Sequence, residues 1–271
     1  MKILIMDHDS LAAQLVKSKL EPLGHKVFSE ASKERALERL GQENFDVVFL
    51  DPAPLSSPRS VVLGFRRAGL KYLYVFLMAP QGGQEEALKT GTNDCILKPL
   101  DPAVLVEKMG NAERLMGLQR HIGDDSTDFP SGGGVIAKSA FNQLFLSALD
   151  RADRYAEPSH ILQISVTNAR EILQIGGAYA ADFASAQLSK QLVLMRRQSD
   201  IIVQIDKYEY ALLLQRPGYD SEPMEAANRF ADKLGQCKEL AQPGMTVTLR
   251  VSLIAVPTGA LAVEHNVTSP A

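Results

Sequence analysis

At 271 residues, 45% of them hydrophobic, the chain is long enough for two ordinary domains, each able to bury a core without staples. Its 29 Lys and Arg against 32 Asp and Glu leave a formal charge of −3, which argues against charge-driven binding to nucleic acid or an anionic membrane. Cys95 and Cys237 are too few for a disulfide framework, and no run approaches the ~20 apolar residues of a membrane span.

In chain order, the apolar start at residues 3–6 stops at Asp7-His8-Asp9, which is no secretory pattern, so a cytoplasmic location is expected. Runs at 2–6, 47–50 and 72–78 lack polar alternation, as parallel strands covered on both faces do. Weaker strands are predicted at 26–29 and 95–97. Between them, 11–20, 32–40, 59–67, 84–89 and 103–120 have helical spacing. Five strand-then-helix units predict right-handed crossovers and an open, doubly wound parallel sheet, with its site outside the carboxyl ends of the strands. Residues 1–121 form this first domain. Residues 122–134 are small, polar and rich in glycine, and read as a linker.

A second α/β domain is predicted over 135–258, with a mostly antiparallel sheet. It opens with a helix near 139–155 and a strand at 161–166. A helix over 178–197 follows a break at Gly176-Gly177. A hairpin of strands 201–205 and 208–214 turns at Asp206-Lys207, and a helix (222–240) and a strand (246–256) complete the domain. Residues 259–271 read as a frayed tail. His25, His121, His160 and His265 have no metal-ligand spacing and read as surface or loop residues.

Charge marks the strand ends of the first domain: Asp7 and Asp9 after strand one, Asp51 after strand three, Lys98 after strand five. Acids and a lysine on adjacent strand ends suit a hard cation and a phosphoryl group. With Ile-Leu-Ile-Met-Asp-His-Asp, Phe-Leu-Asp and Leu-Lys-Pro-Leu in this order, residues 1–120 resemble the receiver domain of bacterial response regulators, a five-stranded flavodoxin-like fold. The resemblance makes Asp51 the phosphoacceptor and Lys98 a contact of the phosphoryl oxygens. It gives Asp7 and Asp51 to Mg²⁺. It also marks departures. His8 stands where a second Mg²⁺-ligating acid is expected, Met78-Ala79 end strand four without a hydroxyl, and Cys95 holds an aromatic position. The receiver reads as degenerate.

The second domain carries Arg197-Gln-Ser-Asp200 and, six residues on, Asp206-Lys207-Tyr208-Glu209-Tyr210 followed by Ala-Leu-Leu-Leu. This resembles the GGDEF domain of diguanylate cyclases. There the turn glycines let backbone approach a triphosphate, and acids hold metal for attack by the 3′-hydroxyl. Here Asp206 and Lys207 stand at the glycines, Tyr208 and Ser165 at the two metal acids, and Leu173 at a guanine-reading Asn, while Asp182 is kept at a second guanine contact. The resemblance therefore implies no enzyme. It also implies a site for cyclic di-GMP at Arg197 and Asp200, the spacing of the family's inhibitory Arg-x-x-Asp, with Lys233 supplied by the next helix. A guanidinium fork suits guanine O6/N7 or phosphate, and a carboxylate suits the guanine N–H edge.

The expectation is a non-catalytic bacterial signalling protein of the two-component kind, receiving cyclic di-GMP and acting through protein contacts. Its expected partners are that nucleotide, a signalling protein such as a histidine kinase, and a second copy of the chain. Two rivals stand beside it: a pure interaction scaffold with both sites vestigial, and a diguanylate cyclase gated by phosphorylation.

Overall fold

The apolar runs of the first half become a five-stranded sheet in the computed structural model, which describes residues 1–53, 58–69, 71–240 and 242–270. Its strands are β1 (Lys2–Met6), β2 (Lys26–Glu30), β3 (Val47–Leu50), β4 (Tyr74–Ala79) and β5 (Asp94–Leu97), in the order β2-β1-β3-β4-β5. Every pairing is parallel. The helices are α1 (Ser10–Leu20), α2 (Lys33–Gln42), α3 (Pro58–Ala68), α4 (Gln84–Thr90) and α5 (Pro102–Ile122). Alternate residues Leu4, Met6, Val48, Leu50 and Val75 pack with Ala36 and Leu40 of α2 and Val61, Val62 and Phe65 of α3. Ile3, Ile5, Val47 and Phe49 point to the opposite face and are equally buried, which explains why the sequence shows no polar alternation. Phe49 stacks on Phe76 at 4.7 Å between centroids. Asp9 caps α1, its carboxylate accepting from Leu11 N–H at 2.9 Å.

The second sheet contains β6 (Val135–Ile136), β7 (Ser159–Val166), β8 (Ile201–Asp206), β9 (Glu209–Leu214), β10 (Thr248–Val256) and β11 (Leu261–Thr268), in the order β11-β10-β7-β9-β8-β6. All its pairings are antiparallel except β6 with β8. Its helices are α6 (Lys138–Tyr155), α7 (Ala169–Met195) and α8 (Glu222–Gln236). Leu162, Ile164, Leu212, Leu249, Val251 and Leu253 meet Ala180, Ala184 and Leu188 of α7 and Ala227, Phe230 and Leu234 of α8 in one buried cluster.

Two compact units result. One takes in Met1–Gly117, Leu149–Glu157 and Pro257–Ala260; the other takes in Leu118–Ala148, Pro158–Val256 and Leu261–Ala271. No described helix is long and apolar enough to cross a membrane.

One expectation is corrected and another is extended. The segment after Gly259 does not fray: Leu261–Thr268 pairs antiparallel with β10, and Val263 and Val267 pack on the core shared with α8. Its Val-x-x-x-Val spacing places both valines on one face of a strand, a weak signal among polar neighbours. The helix predicted from about 178 is present after a break at Gly177, but a further helical segment that the sequence reading omits precedes it from Ala169. Gly177, at φ 70 and ψ −174, is its non-helical kink, and a side chain at Gly176 would collide with Met245 and Ala180. The glycine pair thus breaks the helix where the sequence places the break.

Candidate functional site

The parallel sheet of the first unit brings the ends of β1, β3 and β5 side by side. Asp51 N–H donates to Met6 O at 2.8 Å and Lys98 N–H to Ala79 O at 2.8 Å, so ladder hydrogen bonds fix both residues. Lys98 Nζ lies 2.8 Å from Asp7 Oδ2 and also pairs with Asp51 Oδ2. Each acid is anchored by its other oxygen: Asp7 Oδ1 accepts from Asp9 N–H, and Asp51 Oδ1 from Ala53 N–H, both at 2.8 Å. Desolvation pulls the Lys98 ammonium down, but hydrogen bonds to Asp51 and Asp7 and their charges outweigh it and hold its pKa above the ordinary value. The structure thus brings Asp7, Asp51 and Lys98 together. His8 is exposed, and Asp9 is spent on the helix cap. Two carboxylates remain for a hard cation, a number Mg²⁺ accepts when water and phosphate complete its octahedron. The residues therefore fit the ion, provided that Lys98 gives up part of its contact. At the end of β4, buried Met78 and half-buried Ala79 offer no donor for a phosphoryl group.

In the second unit, the β8–β9 hairpin turns through Lys207 and Tyr208. Lys207 Nζ reaches Asp182 Oδ1 at 2.9 Å, and Ser185 Oγ donates to Lys207 O at 2.8 Å. Lys207 therefore engages Asp182 of α7. Ser165 of β7 lies in register with Glu209 of β9, and Gln163 Nε2 donates to Glu209 Oε1. Tyr210 is buried with its hydroxyl 2.9 Å from Ser185 Oγ, and Tyr208 packs on the core. Leu173 is partly exposed on α7.

Beyond the C-terminus of α7, the chain folds back in a tight loop. Arg197 N–H donates to Asp200 Oδ2 at 3.0 Å, Asp200 N–H to Arg197 O at 3.1 Å, and Arg196 Nη1 to Asp200 O at 2.9 Å. Asp200 is 6% exposed. Its carboxylate holds the loop backbone and does not pair with the Arg197 guanidinium, which is half-exposed and engages Glu222 at the start of α8. A small cleft of about 50 Å³ forms here, lined by Arg197, Asp200, Arg216, Glu222 and Arg229 among others. Arg216 has a left-handed backbone at φ 49, a conformation uncommon outside glycine. Three arginines and two acids thus line one concavity, which is too small to engulf a dinucleotide.

Lys233 does not line the cleft. Arg229, one turn earlier on the same face of α8, lines it instead. Arg216, Glu222 and Arg229 were not found from sequence. Arg229 was within reach of the 3.6-residue period; Glu222 depends on a contact across 25 positions that no local pattern reports.

No family model matches the sequence. A chemotaxis protein CheY homologue of Campylobacter jejuni is 33% identical over 116 residues, covering 40% of this chain and 89% of that protein. Among solved structures, chemotaxis response regulator CheY4 of Vibrio cholerae is 22% identical over 41% of this chain and 97% of its own, with a TM-score of 0.38. The GGDEF domain of YfiN (TpbB) from Pseudomonas aeruginosa is 21% identical over 44% of this chain and 74% of its own, with a TM-score of 0.39.

Proposed function

Starting from a chain that belongs, through its N-terminal domain, to the CheY-like response-regulator family, we propose a non-catalytic signalling protein. In this reading its GGDEF-like domain receives cyclic di-GMP at the Arg197 cleft and passes the bound state to protein partners. The observation that carries it is the convergence of Arg197, Arg216 and Arg229 on one cleft. Guanidinium forks bind phosphate and the guanine Hoogsteen edge through paired, charge-assisted hydrogen bonds. Arg197 provides the first of these and Arg229 takes the place given to Lys233. Asp200 acts from beneath, fixing the loop that presents Arg197.

Catalysis is not part of this proposal. Ser165 brings no carboxylate to the strand end facing Glu209, and the Lys207 side chain with its Asp182 partner stands where a triphosphate needs bare backbone. In the receiver pocket, Asp7 and Asp51 would hold Mg²⁺, which when bound neutralises charge on a phosphoryl group. Lys98 pairs with both acids, and His8 withholds a third oxygen ligand, so phosphorylation of Asp51 by a histidine kinase is slow and secondary. A second copy of the chain is among the proposed partners, and the cytoplasm is the proposed setting.

The test is calorimetric titration of the full chain with cyclic di-GMP. Charge-assisted hydrogen bonds contribute roughly 1.5–3 kcal/mol each, so Arg197→Ala should weaken binding at least about tenfold. Arg229→Ala should weaken it similarly, and Lys233→Ala should leave it unchanged. Absence of binding by the wild type, or an unchanged isotherm for Arg197→Ala, would sink the receptor reading and leave the scaffold in its place.

A further inference from the structure

Apart from the arginine cleft, the second unit gathers a different set of donors at the hairpin turn. His121 lies near the end of α5, Asp206 closes β8 and Glu209 opens β9. The ladder irregularity between Gln204 and Asp206 sets Asp206 directly across from Glu209, so two carboxylates share one side of the turn. One ligand atom from each of the three residues lies within 4.8 Å of the others. We propose that His121, Asp206 and Glu209 bind a single divalent transition ion of the zinc class.

The supporting contacts match what a metal site needs. His121 Nε2 is shielded from solvent, has no hydrogen-bond partner and sits 3.9 Å from Glu209 Oε2. A buried ring nitrogen left unpaired is costly, and an ion between it and the carboxylates would satisfy it. Each acid has one oxygen tied down: Asp206 Oδ1 accepts from Lys207 N–H at 2.6 Å, and Glu209 Oε1 from Gln163 Nε2. Such outer contacts orient ligands and leave the second oxygen for the ion. The nearby ammonium of Lys207 is directed to Asp182, so it does not compete for the carboxylates.

Ligand type decides the class of ion. Imidazole with carboxylates suits Zn²⁺ and its transition-metal neighbours, whereas Mg²⁺ and Ca²⁺ favour oxygen alone. Two carboxylates and a neutral imidazole balance a 2+ charge. Three protein ligands leave a tetrahedral ion one position for water. The site uses neither Ser165 nor Tyr208, the positions at which the cyclase resemblance places metal acids, and it is independent of the nucleotide proposal.

The experiment is titration of chelator-stripped full chain with Zn²⁺ against a metal-indicator dye at micromolar protein, with Co²⁺ absorption as a reporter of coordination. The expected result is one ion per chain and a Co²⁺ visible spectrum with the intensity of low coordination number. His121→Ala and Asp206→Asn should each weaken Zn²⁺ at least tenfold and abolish that spectrum, while Cys95→Ser with Cys237→Ser should change neither. Asp206 is exposed at a turn, so its amide variant keeps the test decisive should His121→Ala fold poorly. Failure to take up Zn²⁺, or uptake that survives both ligand variants, overturns the proposal. Cyclic di-GMP titration of the same samples separates this outcome from the fate of the receptor reading.

Discussion

Arg66 offers the sharpest test of how charge is buried in the first unit. Its guanidinium donates to Leu73 O at 2.8 Å, Gly91 O at 2.9 Å, Asn93 Oδ1 at 3.0 Å and Asp153 Oδ1 at 2.8 Å. The Asp153 side chain is 7% exposed. Burial pushes its carboxyl up to about 7, against the downward pull of Arg66. Arg66→Ala therefore strips two backbone carbonyls of a donor and leaves a buried acid alone. Where that acid is ionised, breaking a buried pair costs about 3–5 kcal/mol. Where it is protonated, only unsatisfied acceptors remain, at about 1–3 kcal/mol. The sign follows from linkage. A carboxyl raised in the fold keeps its proton after the unfolded chain has lost it, so stability falls as pH climbs from about 4 towards 7. Without Arg66 the carboxyl rises further, and the variant continues to lose stability above pH 7, where the wild type has levelled off. The gap between them should thus be small at pH 5 and wide at pH 8. Native-state hydrogen exchange of β4 and β5 amides, which reports local opening free energies, measures it without requiring the whole chain to unfold as one. A gap independent of pH, or below about 1 kcal/mol at pH 8, would refute the reasoning.

Two other substitutions address the sites. Glu222→Gln releases Arg197 from a partly exposed ion pair worth under about 1 kcal/mol, so cyclic di-GMP should bind up to about fivefold tighter; weaker binding in calorimetry would mean that Glu222 contacts the ligand itself. With the Lys98 ammonium between Asp7 and Asp51 and His8 exposed, beryllofluoride and Mg²⁺ should leave the sedimentation coefficient unchanged, and a shift lost in Asp51→Asn would show a competent receiver. On the proposed non-catalytic reading, purified protein given GTP and Mg²⁺ should yield no cyclic di-GMP by chromatography; product above a blank would restore the cyclase rival.

Legibility in the sequence followed the range of the interactions involved. The strands β1 and β3 have the predicted bounds, because burial on both faces writes itself as an unbroken apolar run. The pocket of Asp7, Asp51 and Lys98 was readable too, since parallel strands of a doubly wound sheet must end side by side. Failures came from partners distant in sequence or from weak alternation. His121 reads as a surface histidine and its side chain is 38% exposed, but its neighbours Asp206 and Glu209, more than eighty positions away, leave no local trace. His25 likewise reads as a surface or loop residue, yet it is 7% exposed. Arg197 and Asp200 read as two groups offered together to one ligand, but the carboxylate serves the Arg197 backbone and the guanidinium turns to Glu222.

Strand β11 has a further meaning for the physical behaviour of the chain. Its partner β10 carries Leu249, Val251 and Leu253, all nearly solvent-free, with one hydrogen-bonding edge covered by β7 and the other by β11. A polypeptide cut at residue 259, where the sequence reads as a frayed tail, would leave the β10 edge bare beside an apolar face. Such an edge invites a strand from another chain. With β11 in place, the outermost ladder instead presents Glu264, His265 and Asn266, a charged and polar border that discourages intermolecular β-pairing. Losing these residues is therefore expected to push the protein towards aggregation before it affects any binding site.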